Sequence, residues 1–279
     1  WGNQDTALAL GIAPVGVSAA SFGYITDHKL HEWTDQAFAS LGVSNPNVFN
    51  DTDGYDYEAI SNAAPDVIIA SYSGMTKDEY DRLSQIAPVV PFAEGAFKTS
   101  WREQTILNAE GMGKKAEGEK LVAEADNLIK EKIANHPELK GIKAGFFWIS
   151  PDDFSTFYAY LPADPRASYL QDLGLELPES ISKLAQATPD AFSVTISREN
   201  AADFSDVYLM VLYGDESLLK ALQADPLMSK IPAIKNGAVV LLDSNSKLAA
   251  STTPTILSIP ATIDDYLTQL SAAASKIGK

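Results

Sequence analysis

Aromatic and arginine side chains stand where the predicted strands of this chain end. Tyr72, Trp148 and Tyr213 each lie where an apolar run gives way to Ser, Gly or Pro. Ligands of open α/β sheets bind outside the carboxyl ends of the strands. Rings combined with arginine suit a bulky, partly apolar ligand that carries anionic oxygen, although any one ring could equally be a core residue. The candidate ligand-binding residues are Trp1, Tyr24, Tyr72, Trp101, Arg102, Trp148, Phe157, Tyr158, Tyr160, Arg166, Tyr213 and Lys247.

A pattern repeated half a chain apart indicates how these rings are positioned. Each copy begins with an acid in a short helical stretch, Glu58 or Glu199, passes through an Asp into an apolar run, and ends in Tyr and Gly. An unbroken apolar run between turn residues is typical of a strand buried on both faces. The repeat therefore predicts two similar α/β lobes with a ligand cleft between them.

The remaining elements predict parallel or mixed sheets, because strands and helices alternate along the chain. A strand is predicted over 144–149. A closing helix is predicted over 255–275, with an interruption at Pro260. The stretch 114–136 lacks proline and carries apolar residues at helical spacing, which predicts one long interdomain helix. The predicted organisation is an N-terminal lobe over 1–113, the interdomain helix over 114–136 and a C-terminal lobe over 137–279.

Composition excludes several classes of protein. With 46% apolar residues in 279, the chain can build real cores. The net charge of −16 argues against nucleic acid as a partner, since its binders need clustered Lys and Arg. The absence of cysteine excludes disulfides and thiol catalysis. No apolar run reaches the roughly 18 residues of a membrane span.

Motifs for catalysis and for metal binding are weak or missing. The sequence contains no G-x-S-x-G, no P-loop and no G-x-G-x-x-G, so no enzymatic activity is predicted. His28 and His31 are three residues apart, a spacing that can place two metal ligands on one helix face. Further ligands at a recognisable spacing are missing nearby. We therefore predict that the protein does not hold a metal directly.

The acids that open the two repeated patterns, Glu58 and Glu199, allow two interpretations. Each lies near the start of a predicted helix, where a negative charge complements the helix dipole. Their matching positions in both lobes also suggest a pair of exterior acids that dock on basic pockets of a partner.

Several short motifs, in order along the chain, carry a family resemblance. They lie at 5–17, 57–60, 65–69, 101–104, 173–175 and 197–199, together with the helix from Lys114. On these motifs, over essentially its whole length, the chain resembles the class III periplasmic substrate-binding proteins of ABC importers, which serve ferric siderophores, haem and vitamin B12. The resemblance implies two α/β lobes joined by one long helix, with the ligand between them. It also implies that Glu58 and Glu199 dock on arginines of the membrane permease.

Within that family we expect a ferric siderophore as the ligand and no intrinsic cofactor. Tricatecholate complexes carry about three negative charges and tend to meet several Lys or Arg, as charge complementarity requires. The basic candidates here are few, chiefly Lys98, Arg102, Arg166 and Lys247. This balance favours a hydroxamate-type chelate. The alternatives are a haem, cobalamin or metal-ion receptor of the same fold, or an enzyme that uses the same cleft.

The resemblance also implies partners and a location. The partners are the ABC permease and its ATPase, and the receptor itself is expected to be a monomer. The location is the periplasm or the outer face of the cell membrane. The abrupt start at Trp1 and the absence of cysteine fit a chain without its leader and N-terminal lipid anchor. We therefore expect a membrane-tethered lipoprotein of a Gram-positive bacterium.

Overall fold

The computed structural model describes residues 1–51 and 54–278. The chain forms two compact units. Unit 1 comprises Trp1–Leu128 and Thr253–Ala261, and unit 2 comprises Ile129–Thr252 and Thr262–Lys279. In this described part of the chain, no helix is both long and apolar enough to cross a membrane.

Unit 1 alternates short strands with helices. Its elements in chain order are α1 Gln4–Ala9, β1 Val17–Ser18, α2 Glu32–Ser40, β2 Val48–Phe49, α3 Tyr57–Asn62, β3 Ile68–Ile69, α4 Lys77–Leu83, β4 Val89–Val90, α5 Trp101–Gly111 and most of α6 Lys115–Ile133. Strand β1 pairs with β2, and β3 pairs with β4, both in parallel. Two apolar clusters form the core: Leu8, Val17, Leu30 and Phe38 in one, and Ala70, Met75 and Leu83 in the other.

A buried carboxylate ties separate segments of unit 1 together. Asp5 is fully buried and accepts hydrogen bonds from Trp33 Nε1 (3.0 Å), Thr34 Oγ1 (2.8 Å) and Thr255 Oγ1 (2.5 Å). Burial raises the pKa of Asp5, and these hydrogen bonds oppose the rise. The donors come from α2 and from the segment 253–261, so the carboxylate holds that late segment in unit 1.

Unit 2 is built on a mixed sheet. Its elements in chain order are the end of α6, β5 Ala144–Ile149, β6 Thr156–Tyr160, α7 Pro165–Asp172, α8 Glu179–Ala187, β7 Ser193–Ser197, β8 Leu209–Tyr213, α9 Glu216–Ala224, α10 Pro232–Asn236, β9 Val239–Leu242, α11 Lys247–Ser251 and most of α12 Ser258–Ala274, with short 3-10 helices at Pro137–Leu139, Arg198–Phe204 and Met228–Lys230. Among the described residues the sheet has the order β7-β6-β5-β8-β9. Strands β5, β8 and β9 are parallel, whereas β6 runs antiparallel to both of its neighbours.

The two faces of this sheet differ because side chains alternate along each strand. One face is the main core of unit 2, with Phe147 and Ile149 from β5, Phe157 from β6, and Met210 and Leu212 from β8. The other face carries the residues between them, which include most of the predicted site residues of this unit. The predicted α/β class with parallel and mixed sheets is confirmed.

The two copies of the repeated pattern fold differently. In unit 2 the apolar run forms β8, and all of its residues are buried, as predicted. In unit 1 the run forms β3, whose residues Ile68 and Ile69 are only half-buried. The prediction of a strand buried on both faces is therefore wrong for the first copy. The reason is that β3 pairs with β4 alone in the described sheet and cannot form the centre of a larger layer.

The closing helix α12 continues through Pro260. This proline is the third residue of the helix. N–H groups of the first turn have no partner inside the helix, so a residue without an N–H is tolerated there. The predicted interruption is wrong, and Pro260 instead lies at the start of the helix.

Candidate ligand-binding site

One face of the sheet in unit 2 gathers three of the predicted aromatic residues. Trp148 in β5 lies opposite Tyr158 in β6, and their ring centroids are 5.3 Å apart. Tyr160 follows two residues later in β6, so it lies on the same face. Trp148 and Tyr158 are 38% and 37% exposed, respectively. Their rings are therefore packed on each other and still available to a ligand.

Tyr213 joins this face from the neighbouring strand β8. Its ring lies 5.3 Å from that of Phe146, which in turn lies 5.5 Å from that of Tyr160. The Tyr213 hydroxyl is 2.8 Å from Thr252 Oγ1. The predicted residue Lys247 begins α11, the helix that directly precedes Thr252. Phe146 thus connects the predicted rings of two strands into one cluster.

Arg166 brings a positive charge to this ring cluster. Its guanidinium carbon lies 4.1 Å from the centroid of the Tyr160 ring. Arg166 Nε and Nη2 donate to the two carboxylate oxygens of Asp164, at 2.8 and 2.6 Å. Asp164 also accepts from the backbone N–H of Arg166 (2.9 Å), as the N-cap of α7. The local order Asp, Pro, Arg is a helix start, because Asp is a preferred N-cap and Pro a preferred first residue.

Burial and charge set the ionisation of these groups. Burial lowers the pKa of Arg166, but the hydrogen bonds and charge of Asp164 outweigh it and leave that pKa raised. Burial raises the pKa of Tyr160 and the pKa of Tyr213, and the charge of Arg166 opposes both rises. Tyr213 also hydrogen-bonds to Arg166. At neutral pH the cluster therefore presents a charged guanidinium among neutral phenols.

The structure places Phe157 on the opposite face of the sheet from this cluster. Phe157 pairs with Ile149 across the strands and is fully buried. Its ring packs against those of Phe147 and Phe204, at 6.1 and 5.5 Å. A ligand on the other face would not touch it, so Phe157 is left out of the site proposed below.

Unit 1 has a ring group of its own, formed by Trp1, Phe97 and Tyr72. The Phe97 ring lies 5.5 Å from the Trp1 ring and 5.8 Å from the Tyr72 ring. Asn3 fixes the position of Tyr72: Asn3 Nδ2 donates to the Tyr72 carbonyl (2.9 Å), and the Tyr72 N–H donates to Asn3 Oδ1 (3.1 Å). Gln104 Nε2 of α5 donates to the Trp1 carbonyl (3.2 Å). Trp1 is 60% exposed, whereas Tyr72 is buried.

Phe97 has an unusual backbone conformation at the centre of this group. Its φ of 59° lies in the left-handed region, where bulky residues are strained. The Phe97 N–H donates to the Ser73 carbonyl (3.1 Å), which brings the ring close to Gly74. A Cβ at Gly74 would lie 2.5 Å from Phe97 Cε2 and Cζ. Glycine at position 74 therefore allows the ring to occupy this place.

Gly74→Ala should lower the free energy of unfolding by about 1–2 kcal/mol, because the added methyl group forces the Phe97 ring out of its packing. Urea unfolding followed by tryptophan emission measures the change. The matched control is Gly95→Ala, where the added Cβ would meet Lys98 Cδ at an ordinary 3.4 Å. Equal stability of the two variants would show that the Phe97 ring moves without cost.

The other predicted residues of unit 1 lie on different elements. Trp101 and Arg102 begin α5, where Trp101 is buried and the Arg102 guanidinium carbon lies 4.3 Å from its ring centroid. Arg102 Nε and Nη2 donate to Asp126 Oδ1 in α6, at 3.0 and 2.6 Å. Tyr24 lies between β1 and α2 and is 51% exposed. Arg102 is thus bonded to α6.

Glu58 and Glu199 hold equivalent places in their units. Glu58 is the second residue of α3, and Glu199 is the second residue of the 3-10 helix Arg198–Phe204. Both side chains are exposed. Beside Glu199, a surface groove of about 670 Å³ runs between α8 and this 3-10 helix, with Glu179, Asp203 and Asp206 in its lining. None of the candidate ligand-binding residues lines the groove.

His28 and His31, the pair considered as metal ligands, are engaged in local contacts. His28 Nδ1 lies 2.8 Å from Asp35 Oδ1, and His31 Nε2 lies 3.0 Å from the Phe22 carbonyl. Within residues 1–51 and 54–278, no group of three or more His, Cys, Asp or Glu side chains is arranged to hold a metal ion.

Three residues of the two ring groups were not predicted from the sequence. They are Asp164, Phe146 and Phe97. Asp164 could have been found from its place before Pro165 and two residues before Arg166, the signature of a capped helix start. Phe146 needs the strand register and Phe97 needs a backbone angle, and a single sequence displays neither.

Comparison with known proteins shows the family of the chain. A family model described as periplasmic binding protein matches residues 1–246. The chain belongs to the periplasmic binding protein family, and the predicted resemblance to its class III is confirmed.

Three similar proteins illustrate the range of the likeness. PiaA of Streptococcus pneumoniae TIGR4, solved in complex with ferrichrome, is 44% identical with a TM-score of 0.94, over 99% of this chain and 92% of that one. The iron-uptake system-binding protein of Bacillus subtilis (strain 168) is 25% identical over 85% of this chain and 70% of its own length. FhuD2 of Staphylococcus aureus, solved with bound ferrioxamine B, shares the fold, with a TM-score of 0.68 at 16% identity over 98% of this chain and 97% of that one.

Proposed function

We propose that this protein is the extracytoplasmic solute-binding component of an ABC importer and that its cargo is a ferric siderophore of the hydroxamate type. The observation that carries the proposal is the cluster on unit 2, where Arg166 lies over Tyr160 beside the exposed rings of Trp148 and Tyr158. The 44% identity to a protein solved with ferrichrome, a hydroxamate chelate of ferric iron, supports it.

The chemistry of the cluster suits a chelated metal better than a bare ion. A siderophore supplies the ligands to iron itself, so its receptor has to recognise the outer surface of the chelate. The rings of Trp148 and Tyr158 offer apolar contact to that surface. Arg166 has N–H groups beyond the two that bind Asp164, and these can donate to the chelate's oxygens. Binding of this kind needs no catalytic step, and we propose no enzymatic activity.

The ring group of unit 1 is proposed as a second contact for the cargo. The exposed Trp1 ring and the strained Phe97 are features of a binding surface rather than of a core. The cleft between the lobes, with one ligand touching both, stays a prediction of the family resemblance.

Glu58 and Glu199 are proposed to dock on the permease, which works with its ATPase. Both acids are exposed, and both stand second in a short helix. The groove beside Glu199 adds the carboxylates of Asp203 and Asp206 to the same surface of unit 2. An acidic surface of this kind is complementary to basic groups of a partner. Location outside the cytoplasm follows from this role, and tethering by a lipid anchor stays a prediction.

Titration of the purified protein with a ligand panel tests the proposed cargo. The panel contains ferrichrome, a ferric tricatecholate, haem and cobalamin. Ferric trihydroxamates are expected to quench tryptophan emission with sub-micromolar to micromolar Kd, because Trp148 and Trp1 are exposed beside the proposed contacts. Calorimetry with the gallium(III) chelate, which has the same shape and charge, separates binding from quenching by iron.

The panel also distinguishes the alternatives. A flat response to every ferric chelate would contradict the proposal. Tighter binding of haem or cobalamin, seen as a shift of their visible absorption, would mean that the cargo is that ligand and not a siderophore. The protein would still be a receptor of the same class.

A further inference from the structure

Asp164 is a fully buried carboxylate at the back of the ring cluster. We propose that Asp164 determines the charge selectivity of the site: by neutralising Arg166, it makes the cluster favour ferric chelates with little net charge over chelates with several negative charges. This inference rests on the proposed function. It assigns Asp164 as a positioning and specificity-determining residue that acts through Arg166.

The geometry fixes one edge of the guanidinium. Both carboxylate oxygens of Asp164 are used, one by Arg166 Nε at 2.8 Å and the other by Nη2 at 2.6 Å. The Tyr160 ring lies against the guanidinium plane, with 4.1 Å between the guanidinium carbon and the ring centroid. Arg166 is consequently held in one orientation, and its remaining N–H groups are directed away from Asp164.

The same arrangement separates hydrogen bonding from charge. A guanidinium has five N–H donors, and Asp164 accepts from two of those in Arg166. The others can still donate to Tyr213 and to a ligand oxygen. The charge, however, is balanced, because the fully buried Asp164 carboxylate lies directly against the guanidinium, with both of its oxygens bonded to it at 2.8 and 2.6 Å. The Asp164–Arg166 pair thus offers donors without a net positive charge.

The charge of the ligand then determines how strongly Arg166 attracts it. A ferric trihydroxamate is neutral, whereas a ferric tricatecholate carries about three negative charges. An unbalanced Arg166 would attract the second far more than the first. A balanced pair removes that advantage and leaves the rings and the hydrogen bonds to select the ligand.

The test compares the affinities of purified variants for ferrichrome and for a ferric tricatecholate. Asp164→Asn keeps an N-cap for α7 and removes the negative charge. The ratio of the two affinities should move at least about tenfold toward the tricatecholate, since a charge of about −3 then meets an unbalanced guanidinium. Low salt should enlarge this shift and high salt should reduce it. Asp164→Ser, which also caps the helix, provides a second measurement if the amide disturbs folding.

Two controls separate selectivity from structure. Asp225→Asn removes the carboxylate of another Asp–Arg pair of unit 2, in which Arg198 Nη1 donates to Asp225 at 2.9 Å, and it should leave the ratio unchanged. In an Arg166→Gln background, Asp164→Asn should no longer move the ratio, because the double-mutant cycle removes the group through which Asp164 acts.

The experiment distinguishes a failure of this inference from a failure of the proposed function. If the unaltered protein binds ferrichrome and the ratio stays constant in both Asp164 variants, this inference is overturned and the receptor function stands. A shift that persists in the Arg166→Gln background would overturn the inference in the same way. If the unaltered protein binds no ferric chelate, the proposed function fails, and the inference fails with it.

Discussion

Arg166→Ala is expected to weaken binding of a ferric trihydroxamate by about 1.5–3 kcal/mol, which is the worth of hydrogen bonds to a charged group. That loss corresponds to roughly a tenfold to a hundredfold increase in Kd. The side chain is mostly buried, with 20% of it exposed, and it packs on Tyr160. An oxygen of the ligand that bonds to Arg166 would have little water to replace the lost donor. Calorimetric titration with ferrichrome measures the change.

Removal of Arg166 alone also leaves the buried Asp164 carboxylate without its cation, which destabilises unit 2. The double variant Asp164→Asn/Arg166→Gln removes both charges and so isolates the loss of ligand contacts from this penalty. Arg198→Ala is the matched control, since Arg198 also pairs with an Asp of unit 2 and is not in the ring cluster. Unchanged affinity in Arg166→Ala, with the fold intact by circular dichroism, would remove Arg166 from the site.

Elements with a long and regular pattern could be predicted from the sequence. The helix predicted over 114–136 is α6 Lys115–Ile133, and the strand predicted over 144–149 is β5. Strands β6 and β7 were missed. The alternation of polar and apolar residues in β7 is a signal of a half-buried strand that was overlooked, whereas β6 has three aromatic residues in five positions and shows its strand character through its antiparallel pairing with β7 and β5. Such pairing depends on residues distant in the sequence.

At the site, too, the sequence predicts what depends on local pattern and misses what depends on distant residues. Trp148, Tyr158 and Tyr160 were predicted as site residues together with Phe157; the structure places the first three on one face of the sheet and Phe157 in the core. Alternation along a strand separates Phe157 from its neighbours, yet it does not say which face is covered. That depends on what packs on the sheet, here Phe204 of the 3-10 helix Arg198–Phe204, whose ring lies 5.5 Å from that of Phe157.

The double variant Glu58→Ala/Glu199→Ala is expected to abolish transport and to leave ligand binding in solution unchanged. If each acid meets a basic group of the permease and each pair is worth about 2 kcal/mol, docking would weaken roughly thousandfold. Uptake of radiolabelled ferrichrome by cells that carry the importer measures transport. Calorimetry on the purified variant measures binding.

The competing explanation, helix-dipole stabilisation, predicts a different result. A first-turn acid is worth about 0.3–1 kcal/mol to a helix, and α3 has an independent cap, because Asp56 accepts from the Ala59 N–H at 2.9 Å. The control Asp78→Ala/Glu216→Ala removes one exposed first-turn acid from each unit, with the same change in net charge.

If the control also stops transport, stability or overall charge is responsible. If the Glu58/Glu199 variant loses ferrichrome binding, the acids serve the cargo site or the fold. Only a loss of transport confined to that variant, with binding intact, makes these two carboxylates the docking contacts.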